Sequence, residues 1–183
     1  MRNAAFPANA LGSEFKEKLR ANFLLSSLSI LLGAALGAVF FYAGLQKHLA
    51  PFQFAEAVMA YRLFPQSLVG LVAAVLPWVE LTAGFFLVLG YLLEAAGRIA
   101  MVLGLSAGGL LVGGIKRRSC LLIIAALALV FIIVMSVTMA RGLEIDCGCG
   151  LFFQRQVGPV PILENILMLL LAAALYWWEY AGE

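Results

Sequence analysis

Long apolar runs separated by short polar interruptions dominate the chain, and the spacing of its charges outlines the elements. Between Arg20 and Lys47 lie 26 uncharged residues, more than the roughly 20 that a helix needs to cross a bilayer core. A second apolar stretch covers residues 66–93 and carries one carboxylate, Glu80, near its middle. LEAAGR, residues 93–98, reads as a tight turn, and 17 uncharged residues follow from Ile99 to Ile115. That piece is about 25 Å long as a helix, short for a span. Its glycines (Gly104, Gly108, Gly109, Gly113, Gly114) suit a fifth membrane helix or a re-entrant hairpin. After Lys116, Arg117 and Arg118 come 22 uncharged residues, Ser119 to Ala140, a span rich in Leu, Ile and Val. A last helix is predicted over about 161–180, with Pro161 in its first turn. Tyr176, Trp177, Trp178 and Tyr180 form an aromatic belt at its far end.

The polar pieces are short. Residues 1–22 form an N-terminal arm of mixed charge, too hydrophilic for the apolar core of a signal peptide. Between the first two spans, Pro51 opens a short amphipathic helix predicted to lie in the interface, with Phe52, Ala55, Val58 and Met59 at helical spacing. His48, the one histidine, reads as an interfacial anchor rather than a ligand.

Composition sharpens this picture. Of the 183 residues, 64% are hydrophobic and 12% charged, against about 45–50% and 25% in soluble domains. The expected fold is all-α: a polytopic membrane bundle of four core transmembrane helices, with residues 99–115 as a candidate fifth. The spans fall at about 23–46, 66–93, 99–115, 119–140 and 161–180, within one transmembrane domain, 23–181. The partner of such a surface is the lipid bilayer, and no nucleic-acid footprint is present.

Charge decides the orientation. Three consecutive basic residues at Lys116–Arg118 mark a cytoplasmic loop. One helix, Ser119 to Ala140, separates them from the polar stretch Arg141–Gly150, RGLEIDCGCG, which therefore faces outward. In a bacterium this is the periplasmic side of the inner membrane, and the last helix returns the C-terminus to the cytoplasm. Four spans keep the basic N-terminal arm cytoplasmic; five export it. Hydrophobicity favours five and charge favours four.

RGLEIDCGCG holds two of the three cysteines, Cys147 and Cys149, one residue apart in a glycine-flanked turn. Such a pair can close a small, strained disulfide ring that exchanges readily. Glu144 and Asp146 oppose thiolate formation, whereas Arg141 and the start of the last helix favour it. The alternatives are an inert interfacial pair or a metal site. A zinc or iron–sulfur centre needs three or four ligands, and beyond the pair the chain offers one distant histidine and carboxylates. Cys120 lies about 30 Å away at the other end of its helix and reads as a packed apolar residue.

Glu80 is the second chemical feature. A carboxylate inside a span costs several kcal/mol on most scales and is by default paired or functional. It is read as a partner of Lys47, His48 or Arg62, as a proton carrier, or as a residue near water.

Several motifs carry a resemblance. FYAGLQK (41–47) and PFQFA (51–55) are followed by Tyr61 with Pro65, and by LPWVEL (76–81). RGLEIDCGC (141–149) and Pro161 with Glu164 and Asn165 complete the set. Together they resemble the MauE branch of the DoxX-like membrane proteins over about residues 35–175. The resemblance implies a four-helix redox-associated protein that serves disulfide formation in a periplasmic enzyme such as methylamine dehydrogenase, alongside a thioredoxin-like partner. It implies Cys147 and Cys149 as the redox pair, with Lys47 and Glu80 as motif residues; Arg141 and Asp146 flank the pair. Residues 99–115 look like an insertion relative to the family pattern.

Three functions fit these observations. One is a thiol–disulfide oxidoreductase exchanging with a thioredoxin-like protein to mature a disulfide-containing client. Another is a non-catalytic membrane anchor or maturation factor, and the third a small membrane subunit of a quinone-linked oxidoreductase. A quinone is the one cofactor considered, for which the sequence offers an apolar bundle with Trp78 and Glu80.

Overall fold

A computed structural model describes residues 8–63, 65–103, 117–143, 145 and 157–181. Among them are five α-helices: α1 (Ala8–Leu49), α2 (Pro51–Ala60), α3 (Gln66–Val102), α4 (Arg117–Ala140) and α5 (Pro159–Ala181). Four contain stretches long and apolar enough to cross a membrane: Leu24–Leu49, Gln66–Met101, Arg117–Ala140 and Pro159–Ala181. Helix is the form these runs must take in lipid, where each backbone N–H and C=O has to find its partner within the segment. Their outward faces carry large apolar side chains such as Leu31, Leu71 and Leu170, each at least 60% exposed, as a lipid-bathed surface requires.

α1 and α3 run antiparallel in close contact. A methyl group on Gly84 would stand 2.4 Å from the Phe41 backbone nitrogen and 2.6 Å from the Gly37 carbonyl oxygen. Gly33 receives the ring of Tyr91, and Gly44 faces Pro77, Glu80 and Leu81. Small residues here let the two backbones meet, which is how helices associate when lipid supplies no hydrophobic drive between them. Leu36, Phe40, Ala83, Leu87, Leu121, Ile124, Ala128, Ala172 and Leu175 fill the core shared by α1, α3, α4 and α5.

Two local expectations are corrected. α3 continues as helix through Leu93–Arg98, where a turn was expected. Glu94 and Arg98 pair one turn apart, Glu94 also pairs with Arg117 of α4, and Gly97 is buried. The glycine therefore serves packing rather than turning. Ile99–Val102 is consequently the last turn of α3, and residues 104–115 of the candidate fifth span lie outside the described residues.

In α2 the buried residues are Phe54 and Val58, which pack on Val69 of α3, while Phe52 is 84% exposed. The start of α3 extends past the end of α1 and selects this face of α2. Phe52 and Met59, two of the apolar residues at helical spacing, are exposed.

Both ends of the bundle are fastened. At one end Arg117 lies between the carboxylates of Glu94 and Glu179, and the Tyr91 hydroxyl donates to Glu179 at 3.0 Å. At the other, α4 ends in a Schellman turn: Leu143 N–H donates to the Thr138 carbonyl, Gly142 N–H donates to Met139, and Gly142 has φ 68°. The chain leaves toward Ile145, whose carbonyl accepts from Val157 N–H at 2.8 Å. The stretch between Ile145 and Val157 is thus closed at its base, one residue ahead of Gly158 and the start of α5.

Candidate functional site

Lys47 sits two residues before the end of α1, and Glu80 lies 14 residues into α3. The close approach at Gly44 brings them together. Lys47 Nζ donates to Glu80 Oε2 at 2.6 Å and to Oε1 at 2.8 Å. The side chains are 4% and 0% exposed, so both charges are withdrawn from solvent and lipid. The rings of Phe54 (5.6 Å) and Phe131 (5.2 Å) flank the ammonium group and offer it their π faces. Of the three basic groups considered for Glu80, the structure selects Lys47. The His48 ring stacks edge-on against Trp78 at 4.8 Å, and Arg62 is exposed at the end of α2.

Beside the pair is a crevice that all four spans line: Val39, Phe40, Ala43 and Lys47 from α1, Glu80 from α3, Phe131 from α4, and Asn165 with Met168 from α5. Its interior room is about 20 Å³, enough for one water-sized group. Asn165 is 4% exposed and donates from Nδ2 to the Pro161 carbonyl at 2.9 Å. Asn165 and Phe131 were not foreseen as site residues. The only signal was the place of Asn165 in the Pro161–Asn165 motif; a phenylalanine in an apolar span gives none.

Of the remaining sequence candidates, Cys147, Cys149 and Asp146 lie outside the described residues. Arg141 is exposed and donates from Nη1 to the Arg62 carbonyl at 3.3 Å, joining the end of α4 to the end of α2. Cys120 is half-buried in the first turn of α4, packed against the core at the opposite end of the bundle from Arg141. Among the described residues no group of three or more His, Cys, Asp or Glu side chains could hold a metal ion.

These features define a multi-pass membrane protein that has, among the described residues, four helices long and apolar enough to cross the bilayer and a charge pair buried between two of them. The chain belongs to the MauE family: the family model described as methylamine utilisation protein MauE matches residues 25–106 and 92–178. The two matches overlap across the end of α3 and the segment after it. No curated protein and no solved structure matches the chain.

Proposed function

We propose that this protein is a thiol–disulfide redox protein of the bacterial inner membrane. Its Cys147–Gly148–Cys149 pair faces the periplasm and exchanges disulfides with a thioredoxin-like partner, supporting maturation of a periplasmic enzyme. What supports the reading is where the chain on either side of residues 146–156 is fastened. Val157 N–H donates to the Ile145 carbonyl beyond the end of α4 opposite Arg117 and Arg118. Eight of the 12 Lys and Arg residues belong to segments that enter or leave the Arg117 end: Arg2, Lys16, Lys18, Arg20, Arg98, Lys116, Arg117 and Arg118. Four spans put the N-terminal arm with that cluster, so the positive-inside rule supports an exported loop. Family membership supports a role in methylamine utilisation or a related maturation pathway.

The exchange is balanced as follows. A partner thiolate attacks one sulfur of the Cys147–Cys149 disulfide, forms a mixed disulfide and releases the other cysteine as a thiolate. The partner's second thiol then attacks its own bridged sulfur. The partner leaves oxidised, and the pair holds two electrons and two protons. In the reverse direction, the cysteine left in Cys147→Ser or Cys149→Ser attacks the disulfide of an oxidised partner and has no neighbouring thiol to resolve the mixed disulfide, so one of the two variants should trap the partner covalently, while Cys120→Ser should not. A non-reducing gel of the three variants from the native host tests this. Full client maturation in the Cys147→Ser/Cys149→Ser double variant would leave an anchor or a subunit role instead.

A further inference from the structure

We infer that the crevice beside Lys47 and Glu80 binds one water molecule, which completes the hydrogen bonding of Lys47 and joins α1 to Asn165 of α5. The inference is independent of the redox reading and rests on the geometry of the bundle.

Lys47 is the group on which the helices converge. Two of its three ammonium protons go to Glu80 of α3. The rings of Phe54 in α2 and Phe131 in α4 flank it at 5.6 and 5.2 Å. Those rings attract the charge but are weak hydrogen-bond acceptors, so the third proton is left for a stronger one. The side chain is 4% exposed, so bulk solvent does not supply it. Depth adds to this isolation. Glu80 lies about 21 Å along α3 from its first residue, and about 21 Å from Glu94, which pairs with Arg117 at the other end of the bundle.

The crevice supplies what a water requires. Its room of about 20 Å³ exceeds the roughly 10–15 Å³ that one molecule needs. Buried waters make about three hydrogen bonds, and Lys47, Glu80 and Asn165 all line this site. Lys47 donates its remaining proton to the water oxygen. The Glu80 carboxylate keeps lone pairs beyond those that Lys47 engages. Asn165 is buried and spends one amide proton on the Pro161 carbonyl, which leaves its second N–H and its carbonyl oxygen for the water. An ion of either sign fits worse, because Lys47 and Glu80 already neutralise each other and a further charge would be buried unpaired. An apolar group would leave the third Lys47 proton without an acceptor.

The location gives the water a task. α1 runs along α3, and α4 along α5, over long stretches, whereas α1 and α5 meet only briefly. The crevice lies at that seam, with walls from both helices. Between membrane helices, where lipid is as apolar as the side chains, polar groups hydrogen-bonding across the interface help to hold the partners together. A water held by Lys47 and Asn165 closes the bundle on the side where its packing is thinnest.

The test uses the full-length protein in lipid nanodiscs. Replacing Lys16, Lys18 and Lys116 by arginine leaves Lys47 as the only lysine of the sequence, so 15N-lysine labelling gives one side-chain ammonium signal. Magic-angle-spinning NMR should show through-space transfer from a slowly exchanging water to that ammonium. Asn165→Leu, which takes up the room and offers no hydrogen bond, should abolish the transfer while the Nζ shift stays that of a carboxylate-paired ammonium. Ala43→Val, which fills the crevice from α1, should do the same. No transfer in the parent protein, or transfer only by rapid exchange with bulk water, sinks the site, and this spectrum decides it even if neither variant folds. Transfer that survives both changes places the water elsewhere and overturns the bridge to α5.

Discussion

Lys47 and Glu80, 33 positions apart in the chain, bind each other through both carboxylate oxygens while their side chains are 4% and 0% exposed. Removing one partner strands the other charge in the bundle. Glu80→Gln or Lys47→Met should each destabilise by about 3–5 kcal/mol. The double change Lys47→Met/Glu80→Leu should recover most of that loss, because it buries no unpaired charge. Thermal melts of the three variants in detergent decide the matter, and additive losses in the double variant would contradict an isolated pair.

The contact between α1 and α3 makes a sharper steric prediction. A Cβ at Gly84 meets backbone on two sides, so Gly84→Ala forces the helices apart and should lower stability by about 1–3 kcal/mol. Gly70, on the same helix, has nothing within 4 Å of the corresponding position. Gly70→Ala should be neutral or stabilise by up to about 1 kcal/mol through helix propensity. Equal responses at the two glycines would refute close packing at Gly84.

Arg62 has φ 51°, a left-handed conformation, in the turn that ends α2. For an L side chain this costs about 1–2 kcal/mol, and a β-branched residue suffers most. Arg62→Gly should therefore be close to neutral, whereas Arg62→Val should lose about 1–2 kcal/mol. SDS-unfolding midpoints in mixed micelles would register the contrast.

Tyr61, in the connection between the first two spans, has its hydroxyl pushed from an ordinary 10.0 up to about 12 by burial. The folded state therefore holds its proton more tightly than the unfolded chain. The stability this contributes is full below pH 10 and disappears as the pH rises toward about 12. The loss is on the order of 2 kcal/mol, and Tyr61→Phe should remove that part of the alkaline decline. A parallel decline in the variant would assign it to other groups.

How much of this was legible in the sequence depends on where the deciding contacts lie. The four spans among the described residues were legible because lipid leaves a long apolar run only one backbone solution. That Glu80 needed a cation was legible too. The choice of Lys47 over His48 and Arg62 required the register that Gly37, Gly44 and Gly84 set between α1 and α3. The continuity of α3 was hidden because Glu94 finds one partner a turn away and another on α4. Likewise the inward face of α2 depends on Val69, a residue of the next helix. Asn165 and Phe131 join the site only through the packing of α5 onto α1 and of α4 onto α3 and α5.

The proposed orientation can be tested without any partner or substrate. Cys120 belongs to the first turn of α4, and Arg141, six residues ahead of Cys147, follows its last. A helix of 24 residues is about 36 Å long, so Cys120 and Arg141 lie at opposite ends of the span, and the proposed orientation assigns Cys147 and Cys149 to the face of Arg141. Cys120 is also half-buried against the core. After mild reduction of intact cells, an impermeant maleimide should modify Cys147 or Cys149 and leave Cys120 unlabelled. In inverted vesicles the pair should become protected. Labelling of the pair in inverted vesicles alone would put it in the cytoplasm, where thioredoxin and glutathione keep thiols reduced, and the disulfide relay would have no place to operate.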